Sequence, residues 1–187
     1  MAAQDMTGPG RVQGVKVLVS AASMHGATAE IAQAIADELS GQGLTVAVIP
    51  PAEVRAVDGY DAVIVGSAVY TGHWLDPAKD LVYRFGDVLA GRPVWLFSSG
   101  PVGKPSGKLA RAMGNDPVEV AARVAATQAR DHRMFAGKLD RRQLGALQRV
   151  ALLVFHGLDG DFRDWAQIRD WASGIARQLT LAGSDQQ

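Results

Sequence analysis

Residues 15–31 read VKVLVSAASMHGATAEI, and this stretch decides the fold. Its first six residues, 15–20, are rich in valine and precede a polar loop, which predicts a short buried strand. Over residues 28–40 apolar side chains recur at helical spacing until Gly41 and Gly43, so a helix is predicted after the loop. Strand, loop and helix in this order form the first unit of an alternating α/β fold.

The rest of the chain repeats this alternation. Amphipathic segments predict helices, the second of which begins with Asp76 as N-cap and Pro77 at its first position. Apolar runs predict further strands, and strands this apolar are buried on both faces of a parallel sheet covered by helices. The further strands are predicted at 44–49, 61–67, 93–98 and 132–136, and later helices near Asp116–Pro117 and over 165–179.

One domain accounts for the 187 residues. We expect a flexible N-terminus over 1–13, an α/β domain over 14–182 with a helical insertion at 137–160, and a flexible tail over 183–187. Met1 to Gly14 contain no apolar run like a signal-peptide core, and no later stretch reaches about 18 apolar residues. A cytoplasmic location is therefore expected.

Charge and residue usage exclude several classes of function. Nineteen basic and nineteen acidic side chains cancel, so no global field attracts nucleic acid or an acidic membrane. The chain has no cysteine, which excludes thiol redox chemistry and thiolate metal sites. The four histidines show no pair at metal-ligand spacing, and no Gly-x-Ser-x-Gly hydrolase elbow is present. Electron transfer, if it occurs, requires a bound cofactor.

The loop Ser23-Met24-His25-Gly26-Ala27-Thr28 has the chemistry of an anion site. Two hydroxyls bracket a glycine at a helix start, where unpaired backbone N–H groups and the helix dipole favour a phosphate. The alternative is that Ser23 or Thr28 merely caps the helix. Two rival motifs fit phosphate less well: 41–43 lacks a later glycine at dinucleotide spacing, and 103–109 is one residue short of a P-loop.

The same loop resembles the Thr-x-Thr-Gly-x-Thr loop that holds the phosphate of FMN in flavodoxins. His25 stands where the middle hydroxyl of that motif usually does. Further stretches resemble a flavodoxin-domain branch that includes menaquinone-dependent protoporphyrinogen IX dehydrogenase. They are GSAVYTGHW at 66–74, FSSGP at 97–101, FAGKLD at 135–140 and GDFRDW at 160–165.

This resemblance implies a flavodoxin-like three-layer α/β/α sandwich, with a five-stranded parallel sheet in the order 2-1-3-4-5. It also implies FMN as the cofactor, with its phosphate on the loop from Ser23 to Thr28. The ring would lie against the loops that follow the third and fourth strands. The residues assigned to the ring are Ala68, Val69, Tyr70, Thr71, Gly72, Ser99, Gly100, Pro101, Val102 and Gly103.

Tyr70 is predicted to be the aromatic neighbour of the flavin ring. Trp74 is the alternative neighbour of the ring, or else packs beneath the loop or anchors the next helix. His73 is either a proton donor or a solvated side chain. The loop at 98–103 has no aromatic, so one face of the ring would be open to a substrate; its glycines are otherwise plain turn residues. Carrier flavodoxins commonly cover both faces and are strongly acidic, and this chain is neutral.

The segment at 138–156 predicts a basic amphipathic helix, with Leu144 and Leu147 on one side and Lys138 and Arg142 on the other. It would be a cover over the site, a partner surface or a weak membrane-surface contact suited to a quinone. The alternative is a core-facing helix whose basic face is solvated.

These observations favour an FMN-dependent oxidoreductase of the dehydrogenase type, linked to protoporphyrinogen or to a small-molecule or quinone redox partner. A one-electron carrier flavodoxin is one alternative. A cofactor-free or non-FMN binding scaffold is another. No catalytic residue, metal ligand, nucleic-acid site or oligomeric state is predicted from the sequence.

Overall fold

The computed structural model describes residues 14–70, 72–100, 119–139 and 160–184. The strands are β1 Lys16–Ala22, β2 Thr45–Val48, β3 Ala62–Tyr70, β4 His73–Trp74, β5 Val94–Gly100, β6 Asp131–Ala136, β7 Lys138–Leu139 and β8 Gly160–Asp161. Five of them run parallel in one sheet, in the order β2-β1-β3-β5-β6, and the short strand β4 pairs antiparallel with β3. The helices are α1 Ala27–Gly41, α2 Asp76–Ala90, α3 Val120–Thr127 and α4 Trp165–Ser184. Counting parallel strands along the chain, the order is 2-1-3-4-5, which confirms the predicted fold.

Side chains of β1 alternate between two cores, one on each face of the sheet. Val17 and Val19 pack with residues of α1 and α4, such as Ile35 and Ile175. Leu18 packs on the other face in a cluster that includes Leu81 of α2. These strand residues are fully buried because helices cover both faces.

An aromatic cluster fills the core beneath α4. The ring centroids of Phe97, Phe135 and Trp171 lie 5.6 to 6.2 Å apart, in tilted or edge-to-face pairs. Phe97 also lies across the backbone of Gly66 on the neighbouring strand, where a Cβ atom would come within 2.1 Å of the ring. Glycine at 66 is therefore required for Phe97 to pack against β3.

Strands β3 and β5 extend further than predicted. The parallel ladder continues to the pair Ala68 and Ser99, and β3 then turns back through Gly72, at φ 80°, into β4. Several residues expected in loops are thus strand ends. They still lie at the carboxyl edge of the sheet, where the ligand site was predicted.

The predicted N-cap of α2 is wrong by one residue. Leu75 is the cap, and Asp76 and Pro77 lie in the first turn. The backbone N–H of Leu75 donates to Ser67 Oγ at 2.9 Å, so a side chain from the sheet fixes the start of this helix. Asp76 instead forms an ion pair with Lys79.

The prediction that Lys138 lies on a helix is wrong. It lies in β7, which pairs antiparallel with β8. The remainder of the predicted helix, and the predicted helix start at 116–117, lie outside the described residues. Within the described ranges, none of the helices is long and apolar enough to span a membrane.

Candidate functional site

Three neighbouring strands bring the predicted site residues to one edge of the sheet. Strands β1, β3 and β5 run parallel, with Ala22 opposite Ser67 and Ala68 opposite Ser99. Their carboxyl ends therefore converge, and the loop from Ser23 to Gly26 leaves β1 at this edge. The predicted phosphate residues and the described part of the predicted ring residues lie on adjacent strand ends.

The loop after β1 ends in an uncapped helix start. Gly26 is the N-cap of α1, in the left-handed conformation at φ 85°, and no side chain forms a cap hydrogen bond there. The first helical hydrogen bond runs from Glu30 N to Gly26 O at 2.9 Å. The N–H groups of Ala27, Thr28 and Ala29 precede it and have no acceptor within the helix. The interpretation of Ser23 or Thr28 as a simple cap is not supported.

Side chains of this loop differ in exposure. Thr28 is buried at 2% exposure, whereas Met24 is 51% exposed. His25 is also exposed, and Ser23 is intermediate. Thr28 is thus covered by its neighbours, while the side chains at 24 and 25 are exposed to solvent.

Tyr70 brings the second predicted loop against the first. Its ring lies edge-on to the His25 ring, with centroids 6.4 Å apart and planes at 67°. Tyr70 is intermediate in exposure, and burial raises the pKa of its phenol. A flat ligand bound over this edge of the sheet would meet an aromatic side chain here.

The backbone before Tyr70 is fixed by a buried serine. Ser67 Oγ donates to the carbonyl of Ala68 at 2.8 Å and accepts the N–H of Leu75. Val69 pairs with Trp74 in the short antiparallel ladder. Of the predicted ring residues, Thr71 lies outside the described residues.

Trp74 belongs to the core rather than to the ligand site. It is 2% exposed and its Nε1 donates to Ser98 Oγ at 2.7 Å, whose oxygen also lies 2.9 Å from His132 Nε2. His73 is exposed, with Nδ1 3.3 Å from Glu119 Oε1. Of the two aromatics in this loop, only Tyr70 is available to a ligand.

The end of β5 contributes Ser99 and Gly100, of which Ser99 is 5% exposed. Gly137 packs tightly against this strand end, because a Cβ at 137 would lie 2.1 Å from the carbonyl oxygen of Gly100. The other residues predicted in this loop, Pro101, Val102 and Gly103, lie outside the described residues.

Comparison with known proteins agrees with this fold. The flavodoxin domain family matches residues 18–163 of the chain. The chain belongs to the flavodoxin domain family. No curated protein matches it significantly.

Several solved structures share the flavodoxin fold of this chain. A flavodoxin from the domain Archaea is 17% identical, with a TM-score of 0.58, and the match covers 89% of this chain and 99% of that one. A flavodoxin from Streptococcus pneumonia TIGR4 is 20% identical, with a TM-score of 0.56, covering 88% and 99%. The flavodiiron core of Flv1 from Synechocystis sp. PCC6803 is 17% identical, with a TM-score of 0.61, but the match covers 91% of this chain and 37% of that one.

Arg163, the last residue matched to the flavodoxin domain family, was assigned no role from the sequence. Its side chain is only 3% exposed and reaches the first turn of α1. The only sequence signal was its place in the GDFRDW stretch, which says nothing about a partner more than 130 residues earlier.

Proposed function

We propose that this flavodoxin domain binds FMN and acts as an FMN-dependent oxidoreductase. The observation that carries the proposal is the uncapped start of α1, which follows the interior strand β1 and lies beside Tyr70 at the end of β3. Phosphate and ring would then be bound by adjacent strand ends.

The loop chemistry fits a phosphate. Three backbone N–H groups at 27–29 have no acceptor within the helix, and a phosphate oxygen is the acceptor they suit. Gly26 leaves open space, since a Cβ built there meets nothing within 4 Å. Serine at 23 adds a neutral donor, and no lysine or arginine in the loop is needed.

FMN, when bound, supplies the chemistry of hydride and single-electron transfer. The residues of the chain would bind and orient it: the 23–28 loop on the phosphate, Tyr70 on the ring, and Ser99 and Gly100 at the ring's polar edge. The Tyr70 phenol would lie beside the ring, and burial raises its pKa above the ordinary value.

Within this proposal, a protoporphyrinogen-type or quinone-linked dehydrogenase is the finer assignment. The resemblance of 66–74, 135–140 and 160–165 to that branch supports it, as does the neutral net charge. A small-molecule or quinone partner, a weak membrane-surface contact through 138–156 and a cytoplasmic location remain predictions from the sequence.

A one-electron carrier is the second candidate. In its favour, the matches to the archaeal and streptococcal flavodoxins cover 99% of each of those chains. The two candidates differ in stepwise reduction. A carrier would accept its two electrons at well-separated potentials, and a dehydrogenase would reduce in one two-electron stage with a small-molecule donor.

The deciding experiment is an absorption spectrum of the purified protein with mass spectrometry of the released cofactor, followed by titration of FMN fluorescence. We expect flavin absorption, a released mass equal to FMN, and quenching that saturates at one FMN per chain. Colourless protein that quenches no added FMN would exclude both redox functions and leave the cofactor-free scaffold.

A further inference from the structure

Arg163 joins the end of the family-matched region to the first turn of α1. Its Nη1 donates to Glu30 Oε2 at 2.7 Å and to the carbonyl oxygen of Ala27 at 3.2 Å. Ala27 is the first residue of α1 and belongs to the predicted phosphate loop. A buried guanidinium thus holds the turn that carries the N–H groups without an acceptor in the helix.

The guanidinium itself is fixed from the opposite side. Nε donates to Asp161 Oδ1 at 2.8 Å and Nη2 to Asp161 Oδ2 at 2.5 Å, a bidentate pair. The ring of Trp165 lies 4.4 Å from the guanidinium carbon. Because these partners fix the position of the guanidinium, its hydrogen bonds to Glu30 and Ala27 hold the start of α1 in place.

Asp161 connects this contact to the third strand end of the site. It lies in β8 opposite Lys138 of β7, and the N–H of Phe162 donates to the carbonyl of Gly137 at 3.1 Å. Gly137 in turn packs against the carbonyl of Gly100 at the end of β5. The arginine therefore ties the β1–α1 loop to the backbone on the far side of the site.

Arg163 also compensates an acidic residue close to the anion site. Glu30 lies in the first turn of α1, and its side chain is 55% exposed. An uncompensated carboxylate there would repel a dianionic phosphate, whereas its pairing with a fixed guanidinium reduces that repulsion.

We propose that Arg163 is a positioning residue for phosphate binding, which holds the first turn of α1 and neutralises Glu30. This inference rests on the proposed FMN function. It assigns Arg163 to recognition of the phosphate and not of the ring, so the comparison of FMN with riboflavin, which lacks the phosphate, isolates its effect.

The test measures dissociation constants for FMN and riboflavin in Arg163→Met, with Arg84→Met as the matched control. Arg84 also donates to two loop carbonyls, those of Val54 and Pro51, but from α2. We expect Arg163→Met to weaken FMN binding at least tenfold and riboflavin binding less than twofold, and Arg84→Met to change neither. Equal weakening of both ligands, or none, overturns the inference.

A second variant keeps the test valid if Arg163→Met does not fold. Glu30→Gln retains an acceptor for Nη1 but removes the carboxylate charge. Because Arg163 already neutralises that charge, the dissociation constants for FMN and riboflavin should each change less than twofold. Tightening of FMN binding by fivefold or more, with riboflavin unchanged, would mean that the charge of Glu30 is not compensated and would overturn the inference. If the wild-type protein binds neither flavin, the proposed function fails; if it binds FMN and either variant gives the contrary result, only this inference fails.

Discussion

The rings of His25 and Tyr70 meet edge to face, with centroids 6.4 Å apart, although one follows β1 and the other ends β3. This contact places the residue that departs from the usual phosphate motif directly against the predicted neighbour of the flavin ring. His25 thus links the two halves of the candidate site, a role that a hydroxyl at position 25 could not fill.

Tyr70→Leu should weaken the binding of FMN and of riboflavin to the same extent. An aromatic contact with a flat ring contributes about 1 kcal/mol beyond burial, which corresponds to roughly a fivefold change in dissociation constant. Quenching of flavin fluorescence measures both constants. The control is Tyr83→Leu, since Tyr83 is 90% exposed on α2. A loss confined to FMN would assign Tyr70 to the phosphate instead.

The Tyr70 phenol should ionise at higher pH than an ordinary tyrosine, because burial raises its pKa. Absorbance at about 295 nm, followed through the alkaline range where free tyrosine ionises near pH 10, reports each phenolate as it forms. The difference between the titrations of the wild type and Tyr70→Phe isolates this group. A difference curve with its midpoint at or below the ordinary value would contradict the burial of Tyr70.

Loss of the Asp161–Arg163 pair should destabilise the protein at neutral pH and have little effect in acid. Hydrogen bonds from Arg163 hold the pKa of Asp161 below its ordinary value. Since the folded-state pKa is the lower one, the pair stabilises fully above the ordinary pKa of about 3.9 and loses its effect as pH falls below that value.

Melting temperatures of the wild type and Asp161→Asn, measured from neutral pH down to about pH 3, check this linkage. The difference between them should be largest near neutrality and shrink in acid. Asp170→Asn, an exposed change on α4, serves as the control. A difference that is independent of pH would mean that Asp161 acts only through packing.

Gly66→Ala should destabilise the fold by about 2 kcal/mol or more, since its Cβ would lie 2.1 Å from the Phe97 ring. Urea unfolding measures the loss. Gly86→Ala in α2 is the matched control, because a Cβ there meets nothing within 4 Å and alanine favours a helix. In the double variant Gly66→Ala, Phe97→Leu, the two changes should cost less than their sum; simple additivity would argue against the clash.

Residues 140–159 should be replaceable by a two-residue Asn-Gly turn. The two residues that flank this segment, Leu139 and Gly160, form a cross-strand pair, and paired strands lie roughly 5 Å apart. Circular dichroism should show the fold unchanged, and FMN should bind with its wild-type dissociation constant. An unfolded product, or loss of flavin affinity, would show that the segment belongs to the core or to the cofactor site.

The fold was predictable because its signals are local. Uninterrupted apolar runs such as 15–20 identify strands buried on both faces, and the alternation with helices implies a parallel sheet. Element ends were less predictable. The extension of β3 and β5 depends on ladder bonds between Ala68 and Ser99, and the cap of α2 depends on Ser67, all of which are partners distant in sequence.

The placement of the predicted site residues was predictable in part for the same reason. Glycine and hydroxyls before a helix are a local pattern, and the structure places Gly26 at the start of α1 and Tyr70 at the end of β3, with its ring centroid 6.4 Å from that of His25. Their roles in binding stay a prediction. Whether Trp74 faces a ligand or the core depends on Ser98, which accepts its N–H. No local sequence pattern indicates the pairing of Arg163 with Glu30.

The packing of α1 against α4 has a consequence for synthesis of the chain. Ser173 donates to Glu38 Oε1 at 2.7 Å across 135 residues, and the apolar face of α1 is covered by residues of α4. At roughly 5–20 residues per second, the ribosome makes α4 on the order of 10 s after α1. During that interval the part of this sheet face that Trp171 and the rest of α4 cover, around Phe97 and Phe135, is exposed. Apolar surface exposed in this way during synthesis favours aggregation and chaperone binding.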